Sequence, residues 1–124
     1  MTDRARPNGF TLVETLVALA VFGLAAMALL NLAGENTRSA ARVETRTLAG
    51  IVAENIAVET TAAPTVAEGE TSGRVDLAGR GWGWTRRIAR TDDPEIQRID
   101  IAVLTDDPRP VHAAGRILFR LRTP

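Results

Sequence analysis

Between Phe10 and Ala33 the chain reads FTLVETLVALAVFGLAAMALLNLA, an apolar run in which Glu14 carries the sole charge. No polar side chain interrupts residues 16–30. As a helix, at about 1.5 Å per residue, the run is about 36 Å long and covers a hydrocarbon core of about 30 Å. Arg4 and Arg6 precede it. The excess of positive charge on that side places Met1 in the cytoplasm and everything after the run across the membrane, which in a two-membrane bacterium is the periplasm.

No proline occurs between Pro7 and Pro64, and the chain stays favourable to helix after it turns polar. Val43, Leu48, Ile51, Val52 and Ile56 recur near helical spacing, opposite a solvated face of Arg38, Arg42, Glu44, Arg46, Glu54 and Glu59. The spacing predicts one continuous helix from about Thr11 to about Glu59. Residues 61–73, TAAPTVAEGETSG, read as a loop. Beyond it the period becomes two. Trp82 and Trp84, then Ile99, Ile101 and Val103, then Ile117, Phe119 and Leu121 alternate with other residues, as in half-buried strands. Asp/Pro turns separate them, so an antiparallel meander is expected, with Val75–Leu77 as a candidate short edge strand. The expected fold class is α+β: a long helix whose second half packs on a small antiparallel sheet.

Composition excludes several functions. The chain has no cysteine, which removes disulfides, thiolate metal sites and cysteine nucleophiles. Formal net charge is zero over 124 residues and tyrosine is absent, so neither a strong positive field nor an aromatic stacking platform for nucleic acid exists. His112, the single histidine, reads as an exposed turn residue, not a ligand or base. Ser39 and Ser72 have no triad around them. The pairs Asp92–Asp93 and Asp106–Asp107 precede prolines and read as turn formers, with calcium coordination as the alternative. No cofactor is expected. Trp82 and Trp84 share a strand face that serves either as core or as a partner patch, and Gly79, Gly81 and Gly83 beside them permit a bulge or close backbone approach.

A cleaved secretory signal peptide would also be basic and then apolar. Such a peptide has no use for Glu14, because a carboxylate costs about 2.5–3.5 kcal/mol at mid-bilayer and somewhat less near an interface. Gly9-Phe10-Thr11-Leu12-Val13-Glu14 ahead of an apolar helix closely resembles the prepilin signal of type IV pilins and type II secretion pseudopilins. The resemblance implies a pilin-like fold and cleavage by a prepilin peptidase between Gly9 and Phe10. It further implies N-methylation of Phe10 and retention of the apolar segment in the inner membrane. Glu14 then gains a partner in a neighbouring subunit's N-terminal amine. Paired, a buried charge is tolerable; unpaired, it is expensive.

VALAVFGLAAMALL followed by TRSAARVETRTLAGIVAENIAVE looks like the helix of the I-type minor pseudopilin of type II secretion, with Ala41–Glu44 and Ala53–Asn55 as its family-like stretches. That resemblance implies a structural, non-enzymatic subunit. Its partners would be the J- and K-type minor pseudopilins, with the H-type as a further candidate, and the major pseudopilin. Together they form a tip complex that initiates a short filament for exporting folded proteins. A minor pilin of a type IV pilus or DNA-uptake system shares the same signal and remains the alternative. A small periplasmic enzyme or binding module is the rival from another class.

The organisation expected is a leader at 1–9, a membrane and assembly half of the helix at 10–33, and a periplasmic domain at 34–124. Leu32, Ala40 and Val43 are assigned to partner-helix packing. Leu48, Ile51, Ile56, Trp82, Trp84, Ile99, Ile101, Val103, Ile117 and Phe119 are assigned to the domain core.

Overall fold

The computed structural model describes Gly9 and residues 11–122. A helix α1, Leu12–Ala62, is followed by β1 (Gly69–Leu77), β2 (Arg80–Arg90), β3 (Ile96–Thr105) and β4 (His112–Leu121). The strands form one antiparallel sheet in the order β1-β2-β3-β4. The chain divides into two compact units, Met1–Ala40 and Ala41–Pro124. In the first, α1 is apolar and exposed. In the second, α1 packs on the sheet.

The core of the second unit is a seam of small residues meeting large ones. From α1 it takes Ala49, Val52, Ala53, Ile56 and Ala57; from the sheet it takes Trp82, Ile88, Ile99, Ile101 and Val103. Alanines at 49, 53 and 57 lie on one i, i+4 row, which lets the sheet approach closely enough to bury Trp82 completely. Leu48 and Trp84 are half-buried against this cluster. Ile51, expected in the core, is 44% exposed. It lies about 100° around the helix from Val52, and the alanine row, not the larger side chains, decides which way α1 faces.

Two boundaries move. The helix continues past Glu59 to Ala62, and the segment expected to be loop as far as Gly73 is already strand from Gly69. Its small polar residues suit an edge position, because β1 is exposed along most of its length. Pairing with β2 fixes it: Gly73 lies opposite Trp84, and a Cβ built on Gly73 would stand 2.7 Å from the indole. Glycine there makes room for the ring. The β1–β2 turn consists of Ala78 (φ 54°) and Gly79 (φ 72°) between the paired Leu77 and Arg80, the left-handed two-residue connection that matches strand twist.

The fourth strand corrects the expectation most. Ile117 and Phe119 are 60% and 64% exposed, while Leu118 and Arg120 turn inward. Alternation along β4 was legible, but its phase was not. The register supplies the reason: Ile99, buried, lies opposite Leu118, and Gln97, buried, lies opposite Arg120, so these share the inner face. An arginine occupies an inward position because it has carbonyls to meet there. Its Nη1 donates to Thr60 O at 2.9 Å, and its Nη2 donates to Ala63 O and to Pro64 O. α1 has no basic residue in its last turn, and a strand distant in sequence provides the cap.

Candidate anchoring and assembly surfaces

The helix begins with a reciprocal pair of hydrogen bonds. Thr11 N donates to Glu14 Oε2 at 3.3 Å, and Glu14 N donates to Thr11 Oγ1 at 3.2 Å. With α1 starting at Leu12, Thr11 is the N-cap and Glu14 the third helical residue, so the two form a capping box. The T-x-x-E spacing at Thr11–Glu14 is the sequence signal for it. The carboxylate also stands where the helix dipole favours an anion. Among the described residues, no cation lies within ion-pairing distance of Glu14.

Gly9 is exposed, and a Cβ added to it would meet nothing within 4 Å. Among the described residues no contact requires glycine at that position. Phe10 lies outside the described residues.

Along the first unit the apolar side chains face outward: Leu12 is 77% exposed and Phe22 73%, and no residue of the most apolar window is buried by the protein. Water does not tolerate so large a continuous apolar surface, and lipid satisfies it. Leu32 and Ala40 are exposed. In the second unit Val43, Ile51 and Val58 are also exposed, within an arc of roughly 80° at about 100° per residue. That arc lies away from the alanine seam.

The two tryptophans differ in role. Trp82 is buried, with the Arg80 guanidinium 4.8 Å from its ring centroid, and Trp84 lies over Gly73 with Arg86 at 5.8 Å. Arg86 Nη1 donates to Thr60 Oγ1 at 3.0 Å, whereas its buried Nε has no partner among the described residues. Arg86 and Arg120 thus converge on the last turn of α1, a grouping no sequence motif announces. A Cβ on Gly81 would stand 2.6 Å from Asp106 Oδ2, a close approach, while Gly83 has only ordinary contacts. Asp93 Oδ1 accepts from Glu95 N at 2.9 Å, as in a turn, and Asp106 pairs with Arg74. His112, expected in a turn, is the exposed first residue of β4.

A lipid-facing helix opened by a capped acid, leading into a helix packed on a four-stranded antiparallel meander, defines a membrane-anchored subunit of the prepilin class. The family model described as prokaryotic N-terminal methylation motif matches residues 4–30, and that of Type II secretion system (T2SS), protein I matches residues 43–123. The chain belongs to the type II secretion system protein I family and is a minor pseudopilin of that machinery. Type II secretion system protein I of Pectobacterium carotovorum subsp. carotovorum is 38% identical over 99 residues, which cover 79% of this chain and 82% of that one. That of Pseudomonas aeruginosa is 34% identical over 99 residues, covering 79% and 77%. That of Dickeya chrysanthemi is 30% identical over 114 residues, covering 91% and 90%.

Proposed function

We propose that this minor pseudopilin acts in the tip complex that starts the secretion filament, holding J- and K-type subunits, and with them the H-type and major pseudopilins, through its helix. A prepilin peptidase cuts after Gly9 and methylates Phe10. The segment 10–33 remains in the inner membrane, and the domain at 34–124 stands in the periplasm. The role is structural, without catalysis. The observation that carries this reading is Glu14: a carboxylate at the start of an otherwise apolar helix, capped within its own chain and with no cation beside it among the described residues. A neighbour's cationic N-terminus is the partner that makes its burial tolerable. Leu32, Ala40 and Val43, all exposed on α1, fit contact with sibling helices.

Mass spectrometry of the mature protein tests the processing step. A methylated Phe10 N-terminus is the expected result, and a start near Gly34 sinks the reading, because the helix would have been discarded. Gly9→Ala is expected to accumulate uncut precursor. Since no contact among the described residues requires glycine there, this variant is expected to change recognition by the peptidase and to spare the domain's fold.

A further inference from the structure

A cavity of about 390 Å³ lies beyond the last turn of α1, lined by Thr65, Glu68, Arg90, Gln97, Arg120 and Arg122 among others. Three guanidiniums face one carboxylate there. Arg120 is committed to carbonyls at the end of α1 and just beyond it. Among the described residues Arg90 donates through Nε to Glu68 Oε1, at 2.8 Å, and Arg122 Nη1 stands 3.9 Å from the same oxygen. Among the described residues the terminal nitrogens of Arg90 therefore keep their donors, and the lining carries more positive charge than negative.

Gln97 is the second observation. It is 6% exposed and lines this cavity, a polar side chain set on the inner face of β3. The next inward positions of β3 are Ile99 and Ile101, so an apolar residue at 97 would continue the pattern, whereas an amide gives the cavity both a donor and an acceptor.

We propose that this cavity is a carboxylate-binding site. A planar carboxylate accepts two hydrogen bonds from the Arg90 fork and one from the Gln97 amide, and it supplies the second negative charge that Arg90, Arg120 and Arg122 leave room for. Glu68, already inside, disfavours a dianionic phosphate. The carboxylate comes either from an acidic side chain of another protein or from a small free acid. The site is independent of the tip-complex reading, because none of its residues lies on the helix surface assigned to sibling contacts.

The test uses the full chain in neutral detergent micelles, observing the Gln97 side-chain amide and the Arg90 and Arg122 Nε–H groups by nitrogen-15 NMR. Four probes are titrated at constant ionic strength: N-acetyl-glutamate methylamide, succinate, inorganic phosphate, and N-acetyl-glutamine methylamide as neutral isostere. Saturable shifts with the capped glutamate or succinate, and none with the glutamine compound, are expected. Tighter binding of the capped glutamate points to a protein side chain as source and tighter succinate to a free acid; either supports the site. Replacing Arg90 and Arg122 together by Gln is expected to weaken binding by roughly tenfold or more. The Arg90 side chain is mostly solvent-facing and that of Arg122 about half so, and an unchanged thermal transition followed by tryptophan fluorescence confirms the fold. Gln97→Leu is expected to weaken binding as well. Equal response to the glutamine compound, tighter binding of phosphate than of either carboxylate, or full affinity in the double variant overturns the proposal.

Discussion

Glu14 holds two duties in one carboxylate. Within the chain it accepts from Thr11 N and completes the capping box; in the proposed filament it meets the amine of a neighbour's Phe10. Glu14→Gln separates the duties, since glutamine caps at this position as glutamate does but brings no charge. It is expected to insert and be processed normally, yet to lose co-purification with sibling pseudopilins, because removing one partner of a buried ion pair costs about 3–5 kcal/mol. Thr11→Val is expected to do the reverse in degree: it weakens the helix start by about 1 kcal/mol and reduces assembly only modestly. N-terminal mass spectrometry and recovery of sibling subunits from solubilised membranes read both. Normal recovery with Glu14→Gln would show that capping is the carboxylate's whole contribution. The acid's importance was legible in the sequence because lipid makes any charge conspicuous. Its local hydrogen bonds were legible only through the offset of Thr11, three residues before it.

In the sheet, the alternation of β3 and the face carrying Trp82 and Trp84 could be read from period alone. The phase of β4 could not. Both of its faces carry apolar residues, Leu118 on one and Ile117 and Phe119 on the other, so only the pairing with β3 decides which is inside. Mutation distinguishes the two. Ile99→Ala, at a fully buried site, is expected to destabilise by about 2–5 kcal/mol, whereas Phe119→Ser is expected to stay within about 0.5 kcal/mol. Arg120→Met tests the borrowed helix cap. It strands the carbonyls of Thr60, Ala63 and Pro64 that the guanidinium now satisfies, at an expected cost of about 1–3 kcal/mol. Thermal unfolding of the three variants, followed by tryptophan fluorescence in the same detergent, gives the ranking. A Phe119→Ser loss as large as that of Ile99→Ala would mean that β4 presents the opposite face to the core.

For the molecule as a whole, the question that periodicity left open is which apolar residues of α1 serve its own sheet and which serve other subunits. The apolar positions of the helix cover a broad face, and one sheet can cover only part of it. Where that sheet sits depends on contacts distant in sequence, here the alanine row at 49, 53 and 57 against Trp82, Ile99 and Val103. The remainder is the exposed arc of Val43, Ile51 and Val58, which the fold of this chain does not use. If sibling helices cover that arc, a charge placed on it harms assembly and spares folding. Ile51→Arg is therefore expected to unfold within about 0.5 kcal/mol of the unmodified protein, as exposed substitutions do, and to be processed at Gly9. Recovery of J- and K-type subunits with it should fall sharply, because an unpaired charge in a helix contact has no compensation. Val52→Arg, one residue further, is the contrast: its site is buried, so it should lose the fold itself. The pair of variants isolates surface from core at neighbouring positions of one helix. Full recovery of the sibling subunits with both Ile51→Arg and Val43→Arg would move the partner surface off this arc of α1.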